Sequence, residues 1–270
     1  KNVLRLPKCA SCAIIFGLIG GYPAGTVLTT TLFEQGLINE NEAKRIMSFN
    51  FCGGLAFIIT AVGEICLGSK HLGLIMYLSN ILSALIIAVI TALFCRKQST
   101  ITGVKQSYLS LGNAMVEAVD STIDSILIMC AYIILFSACT SMINLPSCIS
   151  PLLEITNGIC INARSFTIPQ CSAYLAFGGL CIHFQLLSFL KKMKINYIYF
   201  LVGRIISALL SYGITLLYFQ IFPQSQQVFS NMSSGVTVSA TQVNAGLSTI
   251  MIIGCAVLIF DIEGKKIKLS

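Results

Sequence analysis

The chain has 270 residues, of which 56% are hydrophobic and 10% are charged, whereas charged residues make up about 25% of an ordinary soluble domain. Seventeen basic and ten acidic side chains are too few to cover a soluble fold of this size, and the high hydrophobic content excludes a disordered chain. Several apolar runs reach the roughly 20 residues that span a bilayer. We therefore expect a multi-pass protein of the cell membrane.

The first apolar stretch, residues 9–20, is too short to cross a bilayer and leads into Gly20-Gly-Tyr-Pro-Ala-Gly25. Glycine and proline at this spacing predict a broken helix. Backbone amides freed at membrane depth must be buried in protein or line a wet cavity. The candidate substrate-binding residues here are Gly21, Tyr22, Pro23 and Gly25.

A polar helix over residues 40–49 follows, with Asn39 as its N-cap and Glu42 completing a capping box. A second short apolar stretch, residues 51–67, then begins beside Asn50 and the pair Gly53-Gly54. Asn50 is either an interhelical hydrogen-bonding residue or a substrate ligand. The two glycines either allow close helix packing or line a backbone site for substrate.

Two long spans come next, residues 71–95 and 113–144. Glu117, Asp120 and Asp124 lie on one face of the second span, at positions i, i+3 and i+7. They form either an interfacial stripe paired with lysines or a site for a cation or proton. Both interpretations stay open.

The second half contains another predicted break, at residues 154–158. Glu154 is expected either to cap a re-entrant helix or to couple transport to a proton. Thr156 and Asn157 either share the capping or offer donors to a substrate carboxylate at a half-helix N-terminus. Gly158 completes this candidate site.

A second double glycine, Gly178-Gly179, precedes His183 and Gln185, all four of which are candidate substrate contacts. A single histidine in an apolar helix is more typical of an interhelical hydrogen bond than of a proton carrier. Arg164 either attracts an anion or extends its charge to the lipid headgroups.

Two motifs recur along the chain at nearly equal offsets. Gly53-Gly-Leu55 returns as Gly178-Gly-Leu180, and Asn80-Ile-Leu-Ser-Ala-Leu85 returns as Arg204-Ile-Ile-Ser-Ala-Leu209. The shared order predicts an internal duplication. The repeats are expected at about 4–95 and about 112–222, followed by a final transmembrane helix at about 246–262.

The basic residues indicate how these spans are oriented. Twelve of the 17 fall in four clusters beside apolar runs: Lys1, Arg5, Lys8; Arg96, Lys97, Lys105; Lys191, Lys192, Lys194; and Lys265, Lys266, Lys268. This is the positive-inside pattern rather than a nucleic-acid-binding face, and the uncharged stretch 224–244 is expected outside. Spans 71–95 and 196–222 then cross in opposite directions. Inverted repeats with paired breaks are typical of secondary transporters.

The sequence contains no motif for nucleophilic catalysis, phosphate binding or paired metal ligands. We therefore expect no enzyme and no cofactor. The twelve cysteines are scattered through apolar segments and are interpreted as small buried hydrophobic residues. Cys9 and Cys12 form a lone CxxC without a second pair, so a metal is not expected.

Several motifs resemble a known family. They are Leu6-Pro-Lys-Cys9, Gly20-Gly-Tyr-Pro-Ala-Gly25, Ser48-Phe-Asn50, Leu153-Glu-Ile-Thr-Asn-Gly158 and Phe177-Gly-Gly-Leu-Cys-Ile-His-Phe-Gln185. They are similar to sporulation integral membrane proteins of the YlbJ type, within the nucleoside-recognition (Gate) domain membrane proteins. The resemblance covers roughly residues 4–220. It implies a protein of the outer forespore membrane that moves dipicolinic acid, with nucleoside transporters as distant relatives.

We therefore predict an all-α, polytopic integral membrane protein with one transport domain, residues 1–270, that moves a small organic anion by alternating access. A nucleoside-type transporter and a non-transporting sporulation scaffold are the alternatives. The expected partners are the lipid bilayer and an anionic small molecule, with no nucleic acid. The coupling ion (proton or sodium) and the oligomeric state stay open, as do spans upstream of Lys1, since the chain begins without Met.

Overall fold

The fold consists of helices throughout the part of the chain that the computed structural model describes, which is residues 4–95, 111–143, 145–223, 246 and 249–257. The predicted all-α class is confirmed. The side chains of Glu117, Asp120, Asp124 and Arg164 lie outside the described residues, as do the stretch 224–244 and the end of the predicted last span.

The first half contains four α-helices and one π-helix. In chain order they are α1 (Ala10–Gly20), α2 (Tyr22–Glu34), α3 (Glu40–Phe49), the π-helix (Phe57–Cys66) and α4 (Lys70–Phe94). The long α5 (Leu111–Met142) leads to the second half. That half comprises α6 (Ser150–Leu153), α7 (Ile155–Asn162), α8 (Ile168–Phe177), α9 (Gly179–Lys192) and α10 (Tyr197–Ile221).

The two halves therefore repeat one order of elements: a short helical hairpin, an interrupted helix and an uninterrupted long helix. Hairpin one is α1 and α2, and hairpin two is α6 and α7. The interrupted helices are α3 with the π-helix and α8 with α9, and the long helices are α4 and α10. Within the described residues, four stretches are long and apolar enough to cross a membrane: Lys70–Phe94, Ser125–Met142, Ile168–Lys192 and Tyr197–Ile221.

Local sequence signals explain where several helices begin. The predicted capping box of α3 is present, because Asn39 Oδ1 accepts a hydrogen bond from the Glu42 amide at 2.9 Å and Glu42 Oε2 accepts one from the Asn39 amide at 2.9 Å. A similar box begins α8, where Thr167 and Gln170 exchange the same pair of hydrogen bonds.

The breaks are shorter than the sequence predicts. Only Gly21, with φ of 100°, interrupts hairpin one, and Pro23 and Gly25 lie inside α2. The predicted break over 20–25 is therefore wrong in extent, because a proline near the start of a helix gives up an amide that has no intrahelical partner anyway and so favours the helix. Likewise only Glu154 interrupts hairpin two, whereas the segment from Thr156 to Gly158 is helical.

The contact between α4, α8 and α10 is polar, and the outer surfaces of the long helices are apolar. Serine, threonine and asparagine side chains are buried along the contact between α4, α8 and α10: Ser79, Asn80, Ser83, Ser172, Ser207, Ser211 and Thr215. Large apolar side chains on the outer surfaces of the long helices, such as Leu78, Leu209 and Ile221, are exposed. This arrangement suits a protein surrounded by lipid, where buried hydroxyl and amide groups join helices through hydrogen bonds.

The two long helices meet at equivalent residues of the repeated motif. Ser83 Oγ lies 3.1 Å from Ser207 Oγ. One turn away, Asn80 Nδ2 lies 3.4 Å from Ser172 Oγ, which in turn lies 2.7 Å from Ser211 Oγ. Moving from Ser83 to Asn80 is toward the start of α4, while moving from Ser207 to Ser211 is toward the end of α10. The two helices thus run antiparallel at this contact, and the inversion of the whole repeats stays a prediction.

Candidate functional site

Four interruptions, one in each hairpin and one in each interrupted helix, lie close together in the interior. At Gly21 an added Cβ would lie 2.7 Å from the Gly54 amide nitrogen, so hairpin one packs directly on the break before the π-helix. At Gly178 an added Cβ would lie 2.6 Å from the Phe51 ring, which joins the two interrupted helices. At Gly179 it would lie 3.2 Å from the Pro151 carbonyl oxygen, next to the tip of hairpin two. We call this meeting point the central site.

Tyr22 links the two halves at the central site. Its hydroxyl donates a hydrogen bond of 2.6 Å to the Leu175 carbonyl, in the last turn of α8 before the Gly178 break. The ring also packs on Phe51, with 4.7 Å between ring centroids. Gly178 has a φ of 91°, and a side chain there would collide with Phe51 as well as requiring a left-handed backbone. Gly178, which was predicted to bind substrate, therefore has a packing role that allows the two halves of the protein to contact each other closely.

Arg204 carries a buried charge beside these breaks. Its guanidinium donates hydrogen bonds to the Phe51 carbonyl at 2.9 Å and to the Ser48 carbonyl, where α3 ends. Its central carbon lies 4.6 Å from the centroid of the Phe51 ring and 5.4 Å from that of the Phe200 ring. The residue is fully buried, its Nε has no hydrogen-bond partner, and none of the ion pairs among the described residues includes it.

The partners of Arg204 fit the electrostatics of a broken helix. The free carbonyls at the end of a helix carry partial negative charge, which a cation stabilises. Carbonyl oxygens and aromatic faces do not neutralise a full charge, however, and no carboxylate pairs with Arg204 among the described residues. An anion is the natural complement of such a site.

Glu154 is confirmed as the cap of α7. Its Oε1 accepts a hydrogen bond of 2.8 Å from the Thr156 amide, and its Oε2 accepts one of 2.7 Å from the Asn157 amide. These amides were candidates for binding a substrate carboxylate, and the Glu154 carboxylate occupies them. The Asn157 side chain points instead to Ser137 of α5, with Nδ2 2.8 Å from Oγ.

His183 lies in α9 and bonds back across the Gly178 break to the end of α8. Its Nε2 is 3.0 Å from the Phe177 carbonyl oxygen and its Nδ1 is 3.1 Å from the Tyr197 hydroxyl. The ring is buried and packs on Phe200, so it contacts the aromatic cluster that surrounds Arg204. Gln185 is buried too, and its Nε2 donates to Cys181 Sγ in the same helix.

Asn50 packs against both helices of hairpin one, close to the point where they contact each other. Its Nδ2 donates a hydrogen bond of 2.9 Å to the Ala13 carbonyl, and its Oδ1 is buried without a partner. A Cβ at Gly25 would lie 2.8 Å from Asn50 Nδ2 and 2.9 Å from the Gly17 Cα. Gly158 serves hairpin two similarly, since its Cβ would lie 2.6 Å from the Pro151 Cα. Gly25 and Gly158 therefore have packing roles within the hairpins, away from Arg204.

Sequence reasoning missed two features of the structure. Arg204 was recognised only as the first residue of a repeated motif, although a charge at membrane depth is itself a signal of function. Cys66 and Cys160 are bonded in a disulfide, which corrects the interpretation of all cysteines as buried hydrophobic residues. That interpretation does hold for Cys52, Cys171 and Cys181, which are buried.

Comparison with known proteins supports the resemblance that the motifs predicted. The chain is similar to the sporulation integral membrane protein YlbJ of Bacillus subtilis (strain 168), with 24% identity over 178 residues. The aligned part covers 58% of this chain and 44% of the relative, so the chain matches less than half the relative's length. No protein-family model matches the chain, and no solved structure matches it. The resemblance to YlbJ-type membrane proteins is thereby confirmed.

Proposed function

We propose that this protein is a membrane transporter of a small organic anion, with the substrate carboxylate bound by Arg204 at the central site. The observation that carries the proposal is the fully buried guanidinium without a carboxylate partner, located where two interrupted helices and two hairpins meet. Broken helices at membrane depth are a common way to build an ion or substrate site in secondary transporters.

The sequence similarity supports a role in spore formation. The name of the Bacillus subtilis relative describes it as a sporulation integral membrane protein. Dipicolinic acid is therefore our named candidate substrate, and the outer forespore membrane is the proposed location. Dipicolinate carries two carboxylates on an aromatic ring, which match a guanidinium flanked by the Phe51 and Phe200 rings.

The buried position of Arg204 requires movement. Because the residue has no exposed surface, a substrate reaches it only when a hairpin tip or a half-helix moves away. Gly21 and Gly178, where the backbone has positive φ, are the natural places for such rearrangements. Access alternates in this proposal as hairpin one opens the central site to one side and hairpin two to the other. His183, held by Tyr197 and Phe177, would orient the aromatic wall of the site.

A nucleoside transporter of the same architecture is the second candidate. Hydrogen-bonding groups at helix interruptions are compatible with a neutral ligand, and Asn50 Oδ1 is an unpartnered acceptor. The buried cation favours the anion, because a neutral ligand would leave its charge uncompensated. A non-transporting scaffold has little need for paired interruptions at membrane depth.

Uptake into proteoliposomes tests the proposal. Labelled dipicolinate and a labelled nucleoside are offered to the wild-type protein, to Arg204→Gln and to Arg204→Lys. We expect dipicolinate uptake by the wild type, and at least a roughly 100-fold lower rate for Arg204→Gln, because a charged hydrogen-bonding pair in a dry site contributes about 3 kcal/mol. Arg204→Lys keeps the charge and should retain part of the rate.

The matched control is Lys70→Gln, which removes a basic charge from an exposed ion pair with Glu64. It should leave uptake unchanged, since exposed pairs contribute little. Uptake of the nucleoside alone would favour the second candidate. If folded wild-type protein takes up neither compound, the transporter proposal is wrong.

A further inference from the structure

We infer that Cys66 and Cys160 are a site of oxidative modification on the extracytoplasmic face, where their disulfide fastens hairpin two to the first half of the protein. Cys66 ends the π-helix and Cys160 lies in α7, 94 residues further along the chain. Their Cα atoms are 4.9 Å apart, within the range that a disulfide requires. Both residues are partly exposed, so an oxidising partner can reach them.

The opposite face of the protein is identified by its basic residues. Arg5 donates a hydrogen bond of 2.9 Å to the Cys95 carbonyl, just after α4 ends. The Lys44 ammonium, which donates a hydrogen bond of 2.6 Å to Glu40, lowers the pKa of that carboxyl, and Lys194 of the second half adds to the effect. Basic residues of both halves therefore share one face, which the positive-inside rule assigns to the cytoplasm.

Each cysteine is one membrane thickness away from that face. Helix α4 begins four residues after Cys66, ends one residue before Cys95 and has 25 residues, which corresponds to a helix about 37 Å long. Cys160 precedes the 25-residue stretch Ile168–Lys192, which ends among the lysines. The membrane-spanning segment after Cys66 and the one after Cys160 both end on the basic face, so each places its cysteine on the extracytoplasmic side. Disulfides persist in such oxidising compartments and are rare in the cytosol.

The equivalent contact on the cytoplasmic face is reversible. There, Glu34 Oε1 at the end of hairpin one lies 3.0 Å from Lys192 Nζ at the end of α9, and both side chains are half exposed. The two contacts match, since each joins the second helix of a hairpin to the interrupted helix of the other half. One is an exposed ion pair, which contributes little to stability, and the other is covalent.

The modification is a thiol–disulfide exchange. The Cys66 thiolate attacks the disulfide of an extracytoplasmic dithiol oxidoreductase and forms a mixed disulfide. The Cys160 thiolate then attacks the Cys66 sulfur, which releases the oxidoreductase as a dithiol. The two cysteines lose two electrons and two protons in total, and the oxidoreductase gains them. Once bonded, the end of α7 at Cys160 stays attached to the π-helix, so hairpin two can open the central site only at its tip, whereas the whole of hairpin one can separate from α9.

Three measurements on the whole chain test this inference. In membranes treated with N-ethylmaleimide before extraction, peptide mass spectrometry should find the linked Cys66–Cys160 peptides. In the Cys160→Ser variant, produced in the plasma membrane of vegetative cells so that its extracytoplasmic face is accessible, a membrane-impermeant maleimide added to intact cells should label Cys66 but not Cys95 on the basic face. Free, alkylated Cys66 and Cys160 in the wild type, or Cys66 labelling only after permeabilisation, would overturn the inference.

The third measurement is hydrogen exchange in lipid nanodiscs. Reduction of the wild type, or the double substitution of Cys66 and Cys160 by serine, should raise amide exchange in α7 at least about tenfold and leave α2 unchanged. Cys148→Ser, an exposed free cysteine before hairpin two, is the control and should have no effect. Unchanged exchange in α7 would refute the fastening role. None of these readouts measures transport, so a failure here is distinguishable from a failure of the proposed function.

Discussion

Glu154→Ala is expected to release the tip of hairpin two. The Glu154 carboxylate is 1% exposed and accepts hydrogen bonds from two α7 amides, at 2.8 and 2.7 Å. A hydrogen bond to a charged group contributes about 1.5 kcal/mol at the lower end of its range. Removing both hydrogen bonds should cost about 3 kcal/mol of local stability, because the two buried amides would be left without an acceptor. That cost corresponds to a roughly 100-fold rise in local opening.

Hydrogen exchange of the amides in α7 measures this change in nanodiscs. Glu154→Gln keeps one acceptor oxygen and should lie between the wild type and Glu154→Ala, at roughly a tenfold increase. Asn39→Ala removes the equivalent cap from α3 and should increase exchange in α3 only. Identical α7 exchange in wild type and Glu154→Ala would refute the reasoning, since the cap would then contribute nothing to local stability.

Three further substitutions test the contact between the two halves. Gly178→Ala should lower the thermal midpoint of unfolding in detergent by several degrees, because the backbone φ is 91° and the added Cβ would collide with the Phe51 ring. The control Gly213→Ala, where nothing lies within 4 Å of the added Cβ, should not lower the midpoint. Ser83→Ala and Ser207→Ala should show a coupling energy of about 0.5–1.5 kcal/mol in a double-mutant cycle of unfolding free energies. If the two changes in unfolding free energy simply add in the double mutant, the contact is refuted. Tyr22→Phe should cost about 1–2 kcal/mol in the same unfolding assay, through loss of a buried hydrogen bond, and an unchanged midpoint would exclude that role.

What could be predicted from the sequence was local. The capping box at Asn39 and Glu42 lies within four residues, so its chemistry is readable without the fold. The same holds for Glu154 as a cap, which was one of the two roles predicted for it. The extent of a break was harder to predict, because proline both begins and interrupts helices, and the residues before Pro23 do not decide between the two.

What could not be predicted depends on distant parts of the chain. Arg204 contacts carbonyls 153 and 156 residues earlier, and the disulfide joins residues 94 apart. The motif repeat already paired Arg204 with Asn80 by position. It gave no indication that one of the two would meet the end of α3, because that contact requires the packing of both halves.

That pairing has a kinetic consequence. Arg204 and Asn80 occupy the same place in the two copies of the motif, yet one is a cation bound to α3 and the other is an amide that bonds Met76 and Ser172. Two identical halves would present equal energy barriers to a charged molecule arriving from either side. In the proposed transporter the barriers differ, because the attraction to an anion originates in one half only. The equilibrium distribution still follows the gradients, but loading and release should proceed at unequal rates at the two membrane surfaces.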